Sequence, residues 1–234
     1  MIYKVNSVHN QLGKVMNVPS EYTILAIVSL FITTVSAQYK ENDWNERDKW
    51  MNVAKIFEIT NIKTGDVVAD IGCHEGYLSI HLANTIGESG KVYAVDVRQD
   101  RLDRLDEHVK QRNLTNVETI LGDYDNPKLP EGKLDAVIVM DTYHEMKDYR
   151  DILEHIKKSL KPNGKVVIIE KFKKHMLNKS RDEQVDEHTI SSEYVTEELE
   201  KAGFSISTYV HDFGRWKNEA DKRIWIVVGD VNKI

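Results

Sequence analysis

Cysteine occurs once in the 234-residue sequence, at Cys73, and proline four times. A single thiol excludes an intramolecular disulfide and thiol-pair redox chemistry, and a zinc site built on several cysteines would lack its ligands. Positive charge is not in excess either. Lys and Arg number 32 against 38 Asp and Glu, a net charge of -6, so no global field draws a phosphate backbone and nucleic acid is not an expected partner. Long apolar runs are scarce. The one present, Ile24 to Val35, is short of the roughly 20 residues that cross a membrane, and it leads into Val35-Ser36-Ala37. That length and small-residue ending fit a secretory signal, so residues 1–40 read as a signal-like or anchor segment. Export or a membrane tether is the expectation, and a cytoplasmic protein is the alternative. With 41% hydrophobic and 30% charged residues, the chain has an ordinary globular composition, and its length predicts one domain over 41–234. No metal site is assigned.

Beyond Lys40 the apolar residues alternate between helical and strand periods, which predicts βα units on a parallel sheet. A leading helix carries Trp50, Val53, Ala54 and Phe57 on one face, with Asp43 as a candidate cap. Strands are expected at Val67 to Ile71, Val92 to Asp96, Val117 to Leu121, Ala136 to Met140 and Val166 to Glu170. Helices are expected at Tyr77 to Ile86, Asp100 to Arg112 and Tyr149 to Leu160, the last stopped by Lys161-Pro162-Asn163-Gly164. A polar, Lys-rich stretch from Lys171 to Glu187 precedes a helix over Glu193 to Ala202 and strands near Phe204 to Tyr209 and Ile224 to Val228. Continuous β-branched runs such as Val-Val-Ile-Ile belong to strands buried on both faces, so the sheet is doubly wound α/β with helices on both faces. Ligands of such sheets sit outside the carboxyl ends of the strands.

The turn after the first strand reads Asp70-Ile71-Gly72-Cys73-His74-Glu75-Gly76, where glycine lets backbone approach a ligand and bend sharply. A dinucleotide fingerprint begun at Gly72 requires glycine at 74 and 77, and His74 and Tyr77 stand there. Two carboxylates, Asp70 and Glu75, would also face an anionic pyrophosphate, at a cost on the order of 4 kcal/mol per pair at 4 Å. Near an ammonium the same Asp70 attracts.

On these residues the chain resembles the class I S-adenosylmethionine-dependent methyltransferases, whose first motif is D/E-x-G-x-G-x-G. Asp70, Gly72 and Gly76 match and His74 replaces the middle glycine. Asp96 resembles the strand-two acid that binds the ribose hydroxyls, Asp123 the acid that meets the adenine amino group, and Leu160-Lys-Pro-Asn-Gly164 the turn before strand five. The resemblance spans roughly Trp50 to Val228. It implies a Rossmann-like sheet of about seven strands with the last antiparallel, S-adenosylmethionine as cofactor, and a small-molecule acceptor.

Asp141-Thr142-Tyr143-His144-Glu145 follows strand four, where the family places residues facing the methyl-transfer cavity. Methyl transfer is an in-line displacement that chiefly needs alignment and exclusion of water, with a base only when the acceptor must lose a proton. His144 is the candidate base, largely neutral at pH 7 on its unperturbed pKa near 6.5, with Tyr143 and Glu145 as catalytic candidates beside it. Glu145 or Asp141 would orient the imidazole, or Asp141 would line the methionine end of the cofactor. Cys73 reads as a small packed residue. The lysines from Lys171 to Lys179 read as a solvated face that can cap a substrate, and Tyr39, Trp44 and Trp50 could close the other side of the pocket. Two other functions fit the same fold: a nicotinamide-dependent oxidoreductase, and a binding protein that holds the cofactor without turnover.

Overall fold

The computed structural model describes residues 43–231, so the signal-like segment Ile24 to Ala37 and Tyr39 lie outside the described residues. Two short helices, α1 (Trp44–Asp48) and α2 (Val53–Thr60), stand where one leading helix was expected. The break has a local cause. The Asn52 side chain accepts the Lys55 N–H at 3.0 Å and starts a new helix, whereas Asp43 makes no side-chain cap bond. The buried face of α2 is Val53, Ile56, Phe57 and Thr60, with Ala54 exposed.

From there the chain alternates as the periodicity predicts: β1 (Val67–Ile71), α3 (Tyr77–Ile86), β2 (Lys91–Asp96), α4 (Gln99–Gln111), β3 (Val117–Leu121) and β4 (Leu134–Met140). A 3-10 turn at Tyr143–Glu145 leads to α5 (Tyr149–Ser159), β5 (Leu160–Lys173), α6 (Arg181–Asp186), α7 (Ser192–Lys201), β6 (Phe204–Arg215) and β7 (Lys222–Val231). The sheet has seven strands in the order β3-β2-β1-β4-β5-β7-β6, with β7 antiparallel to both neighbours. β1 and β4 are adjacent although two βα units separate them in sequence, so the strand order reverses there and the carboxyl ends of β1 and β4 flank the switch point.

Apolar side chains from alternate strand positions cover both faces. Val68, Ala94, Ile138, Val167 and Ile226 pack with α2, α3 and α4 on one side; Ala69, Val95, Val139, Ile168 and Val227 pack with α5 and α7 on the other. The segment expected as one polar stretch divides three ways. β5 continues through Lys173 on pairing with β7, a short 3-10 turn covers Lys174–Met176, and α6 opens with a reciprocal cap between Ser180 and Glu183. Strand propagation along a paired neighbour outweighs the polar composition that suggested a loop.

Candidate functional site

The turn after β1 is built as a left-handed sequence. Gly72, His74 and Gly76 have φ of 77°, 52° and 98°, a region that glycine enters without penalty and a histidine enters more readily than most residues. His74 thus adopts the conformation that the missing middle glycine would supply. Its N–H donates to Asp96 Oδ2 at 2.9 Å, which ties the turn to the end of β2. Gly72 is also a steric requirement, because a Cβ there would lie 2.3 Å from the Thr142 side chain after β4. Burial and the nearby Arg101, Arg98 and Arg47 guanidinium groups lower the His74 pKa to about 4, so this imidazole stays neutral at pH 7.

Three carboxylates stand at or just beyond the carboxyl ends of β1, β2 and β3. Asp70 is buried and accepts the Ser79 hydroxyl of α3 at 2.6 Å; burial raises its pKa to about 6 against the lowering effects of Ser79 and Arg47, with Asp96 adding to the rise. Asp96 accepts the His74 and Arg98 N–H groups at 2.9 and 3.0 Å, one on each oxygen, and burial raises its pKa. Asp123 is exposed, pairs with Lys128 Nζ at 3.0 Å, and is held in a turn by its own N–H to the Asn126 carbonyl at 2.8 Å. Glu75, by contrast, is a packed ion pair with Arg101 at 2.5 Å. Cys73 is buried, and desolvation with the nearby Asp70 charge pushes its thiol up, in keeping with a packed residue.

The segment after β4 departs from expectation in its partners. His144 is buried, and its Nδ1 lies 2.9 and 3.0 Å from the two oxygens of Glu170, of which Oε1 also accepts the His144 backbone N–H at 3.2 Å. Glu170, fully buried within β5, therefore orients the imidazole in place of Glu145 or Asp141. Burial opposes charge on the ring, but the Glu170 carboxylate outweighs it and raises the His144 pKa, so the ring is more readily protonated than an isolated histidine. Glu145 is exposed, with Oε1 3.8 Å from His144 Nε2. Asp141, in a left-handed conformation at φ 56°, pairs with Lys171. Tyr143 sits in the core on the α5 side, where its hydroxyl donates to Glu198 at 2.8 Å; burial and the Glu198 charge push its pKa well above normal. Glu198 in turn accepts Arg181 Nε at 2.6 Å.

Lys171 corrects the reading of a solvated lysine face. It is a buried strand residue whose ammonium lies 4.9 Å from the Trp216 ring centroid. Trp50 belongs to the same cluster, 4.8 Å from Trp216 between centroids, and the Arg47 guanidinium lies 4.3 Å from the Tyr77 ring and 5.2 Å from Trp216. Trp44 packs edge-on to Tyr77 at 6.1 Å in the core. A groove of about 490 Å³ opens beside His144, bounded by Tyr149, Arg150, Arg181 and Val185. Nothing in the local sequence marks Glu170 or Arg47 as functional, and Lys171 stands out only as one lysine of a polar stretch. Only the register of β5 on β4, Ile169 against Met140, carries Glu170 to His144.

Residues 62–203 match the family model of a methyltransferase domain, more than half the chain. The demethylmenaquinone methyltransferase of Geobacillus sp. (strain WCH70) is 33% identical over 110 residues, 47% of this chain and 47% of that protein. The (S)-coclaurine N-methyltransferase of Thalictrum flavum subsp. glaucum is 31% identical over 141 residues, 59% of this chain and 37% of that protein. The matched region thus spans about half or less of these curated relatives. Among solved structures, a SAM-dependent methyltransferase from Aquifex aeolicus superposes with a TM-score of 0.68 at 25% identity, over 83% of this chain and 100% of that one.

Proposed function

Because this chain belongs to the methyltransferase domain family, we propose that it transfers the methyl group of S-adenosylmethionine to a small-molecule acceptor. The observation that carries this reading is the set of acceptor carboxylates at the strand ends, which matches the donors of the cofactor group by group. Asp70, costly to ionise in its buried setting, would be compensated by an ammonium; Asp96, at the end of β2, would accept from the ribose; Asp123 would accept from an exocyclic amine. Gly72, His74 and Gly76 would shape the backbone against the cofactor, and Asp141, paired with Lys171, would stand toward its methionine end. When bound, the cofactor would supply an electrophilic methyl on a cationic sulfur. The protein's own part is to hold, align and dry the reactants.

On the acceptor side, we assign contact with the acceptor to His144, whose Nδ1 is held by Glu170, and entry to the groove beside it. Glu145 stands at the exposed rim. Tyr143 is assigned to the core instead, since its hydroxyl is committed to Glu198. The relatives named for demethylmenaquinone and (S)-coclaurine support a small organic acceptor. Among the described residues no helix is long and apolar enough to cross a membrane. We also propose a boundary near residue 40 between the signal-like or anchor segment and the methyltransferase domain; fractionation with amino-terminal sequencing of the mature protein tests it.

Calorimetric titration tests the cofactor assignment. S-adenosylhomocysteine should bind and NAD should not, and Asp70→Ala and Asp96→Ala should each weaken binding tenfold or more, from about 1.5 to 3 kcal/mol per charge-assisted hydrogen bond. NAD binding with no response to S-adenosylhomocysteine would move the protein to the oxidoreductases.

A further inference from the structure

We propose that His144, Glu145 and His188 form a binding site for a divalent transition-metal ion of the zinc type. One donor atom from each residue lies within 4.8 Å of the others, and His144 Nε2 is already 3.8 Å from Glu145 Oε1. Zinc with bonds of about 2.0 to 2.2 Å places neighbouring ligand atoms about 3.4 Å apart. Glu145 and His188 are exposed side chains, so rotation about their own torsions closes the difference without moving the core.

His144 is prepared as a ligand. Glu170 takes up Nδ1 at 2.9 and 3.0 Å and leaves Nε2 on the side of Glu145. A carboxylate on the second ring nitrogen fixes the tautomer of a metal-bound histidine and raises its basicity. His188 is held where it can join. It occupies a left-handed conformation at φ 51°, its N–H donates to the Val185 carbonyl at 2.9 Å, and its ring meets that of His144 edge-on at 5.9 Å. The next residue, Thr189, is buried and bridges to β5, accepting the Lys173 N–H at 3.1 Å and donating to the Lys171 carbonyl at 2.7 Å. Two imidazoles and one carboxylate suit zinc, cobalt, nickel or ferrous iron, whereas magnesium and calcium prefer oxygen alone. The neighbouring grouping of Asp141, His144 and Glu170 is a poorer cradle, since Lys171 already neutralises Asp141 and His144 occupies Glu170.

This site goes beyond the methyl-transfer reading and stands or falls apart from it, because metal content and cofactor affinity are separate measurements. An ion on Nε2 would keep open positions for water or another oxygen ligand.

The test loads the full chain with Zn²⁺, desalts it and measures metal content, beside calorimetry with Zn²⁺ alone. The wild type should retain one equivalent. His188→Gln and Glu145→Gln should each bind Zn²⁺ at least tenfold more weakly, with circular dichroism and S-adenosylhomocysteine affinity unchanged. Co²⁺-loaded wild type should show the visible absorption of a low-coordinate ion, and His188→Gln should lose it. Failure of the wild type to hold one equivalent, or equal zinc affinity in the wild type and His188→Gln, overturns the site. His188 and Glu145 are chosen because both are exposed, whereas truncating His144 would leave the buried Glu170 carboxylate without its partner.

Discussion

Asp70 joins stability to function in opposite directions. Its folded pKa, about 6, lies above the ordinary 3.8, so the stability it contributes is full below about pH 3.8 and is lost as pH rises through about 6. The span corresponds to about 3 kcal/mol. The groups that face it are Arg47 from α1, Ser79 from α3 and Asp96 from β2; the cation and the hydroxyl favour the ionised form, and the second acid opposes it. Asp70→Asn should therefore raise urea-unfolding stability at pH 7 by about 1 to 3 kcal/mol while weakening the cofactor. S-adenosylhomocysteine affinity of the wild type should fall as pH drops below about 6, and the Asn variant should show no such fall. Gly72 is constrained by its φ of 77° and by Thr142 lying 2.3 Å from any added Cβ, so Gly72→Ala should lower the melting temperature and cofactor affinity together.

At the scale of elements, the 3-10 turn after β4 separates two neighbours that look equivalent in sequence. Tyr143 turns into the core to meet Glu198 of α7 and, through it, Arg181 of α6, while His144 meets Glu170 of β5. Tyr143→Phe should cost about 1 to 2 kcal/mol in a denaturant melt, because Glu198 loses one donor and keeps the other. A drop in turnover of the fully folded variant would return that hydroxyl to the chemistry. Asn52 is the corresponding point in the leading helices: Asn52→Ala removes the cap of α2 and should cost about 1 kcal/mol by the same measurement.

For the molecule as a whole, the turns proposed to hold the cofactor follow the carboxyl ends of the strands. Cofactor binding should therefore add to the stability of the folded state. At a concentration of S-adenosylhomocysteine one hundred times its Kd, the wild type should gain about 2.7 kcal/mol, seen as a higher melting temperature, and Asp96→Ala should gain less at the same concentration.

The order of strands and helices, the bend after β1 and the acids at 70, 96 and 123 were legible in the sequence, because periodicity and glycine placement are local properties. The same holds for the stretch from 134 to 145 as a place of interest, though not for what each of its side chains does. A histidine at 74 looked like a departure from the glycine pattern, and only the backbone shows that it adopts the left-handed turn. Pairing across the sheet decided the rest. The register of β5 on β4 selects Glu170 as the partner of His144, and extension of β5 along β7 buries Lys171 beside Asp141. Packing against α7 buries Tyr143 and commits its hydroxyl to Glu198. Each of these joins residues 26 to 55 positions apart, a separation at which no local pattern carries information and only the closed fold brings charge to charge.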